Sequence, residues 1–177
     1  MRADHAFAPL VTDRLTLRRS EPGDADAISA YRSDPEVHEH QGWDDTDPDH
    51  VRGEIVEMAD RDPGGPGGWV QFSVLDDAGA IVGDVGLRRV EDEQGVIVVG
   101  YTIAPAHQNK GYATEAVRAL VGYAFDVLGA DVVRAHADEE NIASTAVMRK
   151  AGLSFVERWD HEEGGQIYHI VRYERRR

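Results

Sequence analysis

The run Val96 to Ile103 is apolar and rich in β-branched residues, and it stops at Ala104-Pro105. A short polar turn follows, Gln108-Asn109-Lys110-Gly111-Tyr112-Ala113, and Thr114 to Leu120 continues behind it as a helix-forming run. A strand, a glycine turn and a helix start in direct succession aim free backbone N–H groups at one point, together with the positive end of the helix dipole. Such a point suits a phosphate or pyrophosphate. Gly111 lets the backbone come close to the anion, and Lys110 adds a charge. The same pattern also occurs as ordinary α/β architecture, and local sequence leaves both readings open. No G-x-x-x-x-G-K-[ST] sequence occurs, and one glycine in the turn is too few for a dinucleotide fingerprint.

Composition narrows the partners. With 177 residues, one domain spanning residues 1–177 is expected, long enough for a full core. No apolar run approaches the roughly 20 residues needed to span a bilayer, so no membrane association is expected. Met1 to His5 lacks the apolar stretch of a signal peptide. The chain has no cysteine, which excludes disulfides, thiolate catalysis and Cys-ligated zinc. A cytoplasmic protein is the expectation. The formal charge of −14, from 33 acidic and 19 basic side chains, disfavours nucleic-acid binding, which relies on basic neutralisation of phosphates. An acidic surface either steers a cationic substrate or simply keeps the chain soluble.

Periodicity orders the rest of the chain. Leu10 to Arg19 alternates as a first strand, and Asp24 is placed to cap a helix through about Ser33, ended by Asp34-Pro35. Glu36 to Trp43 is read as a polar connection, and Asp47-Pro48 as the start of a helix to about Asp60. The glycine- and proline-rich 62–68 stretch is read as a loop. Trp69 to Leu75, Ala80 to Val90 and Val96 to Ile103 form an antiparallel meander. Gly111 to Leu128 is the main helix, with Ala113, Ala116, Val117, Leu120, Val121 and Ala124 buried. Asp131 to Asp138 is the next strand, Asn141 caps a helix to about Lys150, and the hairpin Phe155–Asp160 and Gln166–Tyr173 ends the fold. The Arg175-Arg176-Arg177 tail is expected to fray.

Gln108, Gly111 and Ala113 fill the motif Gln/Arg-x-x-Gly-x-Gly/Ala, and a second block follows at Asn141-Ile142-Ala143-Ser144 and Met148 to Phe155. Thr12 to Arg18 and Tyr31 to Val37 match as well. On these residues the chain resembles the GNAT superfamily of acetyl-coenzyme A-dependent N-acetyltransferases, in the branch of the ribosomal-protein N-terminal acetyltransferases. The likeness runs from about Leu10 to Tyr173. Leu153 stands where that branch has an aromatic residue, and Phe155 comes two residues late. The resemblance implies an α/β (α+β) fold: a mixed, mostly antiparallel twisted sheet of six to seven strands, helices on both faces, and a splayed central strand pair.

It also implies acetyl transfer from acetyl-CoA, by direct attack, to a primary amine of a small molecule or of a protein or peptide N-terminus, with no metal. A homodimer is compatible with it. Ile103 and the turn Gln108, Asn109, Lys110, Gly111, Tyr112, Ala113 and Thr114 are then the cofactor contacts, with Asn141 and Ser144. Ser144 occupies the serine position beside the sulfur, where a proton donor is needed; capping of the helix is its other reading. Deprotonating the amine needs a base. Val96–Ile103 lacks the glutamate many members carry there, which leaves Asp84, Glu91, Glu93, His136, Glu163 or a water chain. It also keeps open a non-catalytic acyl-CoA-binding module. Acceptor contacts are expected from His40, Gln41 and Trp43, and from Asp84 and Tyr101, Tyr101 lining the cleft or filling the core. His40 and His38 complete no metal-ligand set. Glu115, in the first helical turn, reads as structural.

Overall fold

Alternating apolar residues are realised as one sheet of eight strands in the computed structural model, which describes residues 7–39, 41, 43, 45–66 and 68–177. The strands are β1 (Leu10–Val11), β2 (Leu15–Arg19), β3 (Val70–Asp76), β4 (Ile81–Arg89), β5 (Val96–Ile103), β6 (Val132–Asp138), β7 (Ser154–Glu163) and β8 (Gln166–Arg176). Their order is β1-β2-β3-β4-β5-β6-β8-β7, and every neighbouring pair is antiparallel except β5 with β6. That parallel pair needs a crossover, which α4 (Tyr112–Asp126) supplies.

The helices divide between the faces. Alternation along β3 and β4 turns Phe72, Val74, Val85 and Leu87 to one side, where α4 buries Ala116, Val117, Leu120, Val121 and Ala124 against them. Ala113 lies at the margin of that stripe, half-buried. α5 (Ile142–Lys150) adds Met148 to the same core. On the other side α1 (Ala25–Arg32) and α3 (Pro48–Met58) form a smaller cluster from Ala25, Ile28, Tyr31, Val51 and Ile55.

Several expectations are corrected. The sheet has eight strands rather than six to seven, because Leu10 to Arg19 is a hairpin. Its turn is closed by the Thr12 hydroxyl, 3.1 Å from the Leu15 N–H. Asp24 stands at the cap position of α1 without capping it. Its carboxylate instead takes a two-pronged bond from Arg18 at 2.7 and 2.8 Å and a bond from Ser73 at 2.8 Å. Within the supposed connection, Pro35–His38 is a helical turn, α2, capped by Asp34. The arginine tail is not frayed at its start, since Arg175 and Arg176 pair with Val133 and Val132.

Candidate active site

The turn before α4 is built without a side-chain cap. Gly111 sits at the cap position with φ 82°, and Asn109 has φ 60°, so two residues in the left-handed region fold the chain back on itself. The first N–H groups of α4 are thereby left without a capping side chain. Gln108 donates from its side-chain amide to the Ile103 carbonyl at 3.0 Å, tying the turn to the end of β5. Arg14 donates to the Lys110 carbonyl at 2.8 Å and to Glu115 at 2.8 Å. Burial would raise the Glu115 carboxyl, but bonds from Thr12 and Arg14 outweigh it and hold it low. Glu115 therefore anchors the N-terminal hairpin, as its structural reading requires.

Behind the turn the sheet opens. β5 and β6 pair at Val96–Val132, Ile97–Val133 and Val98–Arg134, and then diverge, although β5 continues to Ile103 and β6 to Asp138. Bonds from Val90 N–H to Val96 O at 3.0 Å and from Ala104 N–H to Val82 O at 2.9 Å show that even-numbered residues of β5 bond to β4. The odd-numbered ones turn their backbone groups the other way. Past the last pair, the backbone of Tyr101 and the N–H of Ile103 face the gap, with no strand across from them among the described residues. An extended ligand carrying amides fits such an edge, and its anionic end would reach the α4 turn.

A cavity of about 620 Å³ lies beside this gap, on the α1/α3 face, and reaches Gly100, Tyr101 and Thr102 of β5. Asp84, 4% exposed, is at its floor, opposite Thr102 in the register. The Tyr31 hydroxyl donates to one Asp84 oxygen and the Gln71 amide donates to the other at 2.6 Å. Arg32 lies 3.9 Å from Asp84 and 3.1 Å from Glu54. Burial, then the Asp84 charge, pushes the Tyr31 hydroxyl well above its ordinary range, so it remains a donor. Of the expected acceptor contacts, Gln41, Trp43, Asp84 and Tyr101 all line this cavity. Gln41 donates to the Thr102 hydroxyl at 3.3 Å, and Trp43 stacks on the Arg32 guanidinium at 4.6 Å. His40 lies outside the described residues.

Tyr101 joins the cavity to α5. Its hydroxyl is 2.8 Å from both the carbonyl oxygen and the Oγ of Ser144, while the Asn141 side chain caps α5 by accepting from the Ser144 N–H at 3.0 Å. Burial pushes the Tyr101 hydroxyl up to about 12, so it stays protonated around neutrality.

Glu93 and His136 are not among the residues lining the cavity. Glu93 is gripped by Arg134 through two bonds of 2.7 and 2.8 Å, and that guanidinium holds its carboxyl low. His136 packs edge-on against Trp159 with ring centroids 5.5 Å apart. Desolvation by the protein packed around it, and then the charges of Arg134, Arg172 and Arg88, bring it down to about 4, although the side chain keeps an exposed face. The unfolded chain takes up this proton first, so this contribution to stability is full above about pH 6.5 and is lost toward pH 4, a small decline because solvent screens an exposed ring. His136→Gln flattens that decline, as thermal melts across this range will measure.

Among the residues that sequence reasoning did not place at the site, Arg32, Gln71 and Trp69 line the cavity, and Tyr31 donates to Asp84. Tyr31 and Arg32 lie on an amphipathic helix and in the block Tyr31 to Val37 that carries the resemblance, but neither signal gives them a role at the site. Gln71 is different, since a polar residue on a strand between apolar neighbours points away from the core. Trp69 stands next to a loop, where a large aromatic at the surface suggests contact work.

Among the described residues no helix is long and apolar enough to cross a membrane. The acetyltransferase (GNAT) domain family matches residues 14–154. An uncharacterized N-acetyltransferase, p20 of Bacillus licheniformis, is 33% identical over 148 residues, covering 82% of this chain and 81% of that protein. A GNAT-family acetyltransferase structure from Bacillus anthracis superposes with a TM-score of 0.81 at 22% identity, covering 96% of this chain and 98% of that one. The structure of RimL, a ribosomal L7/L12 alpha-N-protein acetyltransferase in complex with coenzyme A, gives 0.81 at 16% identity with the same coverage. At these identities the structural likeness speaks for the fold.

Proposed function

This chain belongs to the GNAT acetyltransferase family and is an acetyl-CoA-dependent acyltransferase; from that premise we propose that it acetylates a primary amine, of a small molecule or of a peptide N-terminus, by direct transfer. The observation that carries this reading is Asp84, a buried carboxylate open to a cavity that adjoins the unpaired edge of β5.

When bound, acetyl-CoA supplies an activated acetyl thioester. The α4 turn, with Lys110 and the N–H groups of Tyr112, Ala113 and Thr114, would hold the diphosphate, and the free backbone of Tyr101 and Ile103 would hold the amide-bearing arm. Asp84 orients the acceptor's ammonium and takes its proton. A carboxylate offers about four lone-pair positions, and Tyr31 and Gln71 use two, so acceptor capacity remains on the cavity side. Ser144 Oγ, bonded to the Tyr101 hydroxyl, holds a proton for the departing sulfur.

Thiol release on mixing the protein with acetyl-CoA and an amine panel tests the reading. Stabilisation by acetyl-CoA with no thiol release from any amine would mark a binding module instead. Ser144→Ala is expected to lower kcat by roughly 10²-fold. Its melting temperature should hold, because the Asn141 cap bonds the backbone N–H at position 144, which the substitution keeps.

A further inference from the structure

The walls of the Asp84 cavity carry more information about the acceptor than its position does. Gly86 and Gly100 face each other across β4 and β5 on the cavity floor. A glycine inside a strand costs roughly 0.5–1 kcal/mol relative to alanine, so a facing pair in a central strand pair calls for a reason. The reason is Trp69. A Cβ on Gly86 would come within 3.3 Å of its indole, and one on Gly100 within 3.4 Å, so the edge of its six-membered ring rests against both. Arg61 fixes it further by donating to the Trp69 carbonyl at 3.1 Å, and the Arg88 guanidinium lies 5.5 Å from the ring centroid. The indole is thus held in place while remaining 40% exposed at the cavity. Trp43 and Met58 add further apolar surface to the same cavity.

The charges are equally selective. Three carboxylates among the described residues line the cavity, Asp84, Glu54 and Glu57, against two guanidiniums, Arg32 and Arg61, a balance of 2 − 3 = −1. Arg32 neutralises Glu54 at 3.1 Å, and Arg61 is ion-paired with Glu57. Asp84 is left as the carboxylate not closely paired, with Arg32 no nearer than 3.9 Å. One ammonium is matched and a second is not.

We propose that the acceptor is a monocationic arylalkylamine, its flat ring lying on Trp69 and its single primary ammonium at Asp84. This rests on the acetyl-transfer reading and names the substrate class for that same site. A polyamine would bring charges with no free carboxylate to meet them. A plain alkylamine would leave the indole face and most of the 620 Å³ unused.

The test compares phenethylamine and tryptamine with n-hexylamine and spermidine, each with acetyl-CoA, by thiol release. The arylalkylamines are expected to exceed the other two in kcat/KM by about tenfold or more, the effect of burying one ring. Trp69→Ala should shrink the phenethylamine-to-hexylamine ratio by about tenfold, chiefly through KM, and Trp69→Phe should restore most of it. Equal or better use of n-hexylamine or spermidine, or an unchanged ratio in Trp69→Ala, overturns the proposal and leaves acetyl transfer standing. If no amine releases thiol, thermal stabilisation by phenethylamine in the presence of coenzyme A decides. Stabilisation lost in Trp69→Ala supports the ring site, and none in the unaltered protein overturns it. Absence of both thiol release and any response to acetyl-CoA instead removes the underlying function.

Discussion

Asp84→Asn lowers kcat/KM for a good amine by roughly 10²- to 10⁴-fold, the range for losing a positioned proton acceptor. The substitution is close to isosteric, and its neighbours tolerate it. Gln71 can donate to the remaining carbonyl oxygen, and the Tyr31 hydroxyl can turn to accept from the new amide. Arg32 keeps Glu54 as its partner at 3.1 Å. Folding stability should therefore change by about 1 kcal/mol or less, and stabilisation by acetyl-CoA should persist. Steady-state rates and melts with and without acetyl-CoA separate lost chemistry from lost fold. A rate within about threefold of the original would remove Asp84 from the proton transfer.

Gly83→Ala has the largest expected effect on stability. Gly83 pairs with Ile103, and a Cβ there would lie 2.2 Å from the Thr102 carbonyl oxygen and 3.0 Å from the Ile103 Cα. Both are backbone atoms of β5, so no side chain can swing aside and the two strands must part. Overpacking of this kind costs about 3 kcal/mol, at the upper end of its usual range because the obstacle is main chain. Gly23→Ala is the control, because nothing lies within 4 Å of a Cβ there. Urea midpoints measure the difference. Gly83→Ala should also weaken acetyl-CoA binding, since β5 is the strand whose free edge faces the gap.

Much of the fold is legible because it is local. Asp47-Pro48 starts α3, Asn141 caps α5, and the β3–β4–β5 meander follows from alternation and its turn residues. The turn before α4 is local too: Gln108, Gly111 and the helix start lie within a few residues of one another. The acceptor side is not. Asp84 stands out as an acid within an apolar strand, yet its donors come from Tyr31 and Gln71, on a helix and a neighbouring strand. Glu93 presents a plausible base in sequence, but the parallel pairing at Val98–Arg134 brings Arg134 within 2.7 Å of it. His136 has a useful ordinary range until the protein packed around it and the charges of Arg134, two residues away on its own strand, and of Arg172 and Arg88, on other strands, move it away. Gly86 and Gly100 each look like a local weakness of a strand, and only the register shows that they form one floor.

The seam between β5 and β6 has a consequence for solvent. The amides of Tyr101 and Ile103 lie in the fifth of eight ordered strands, yet deuterium should replace their protons as readily as at an outer margin of the sheet. A ligand bridging the seam would slow that replacement, while Ile97, already closed against β6, should hardly respond. The centre of this sheet is, for its bare backbone, a coastline.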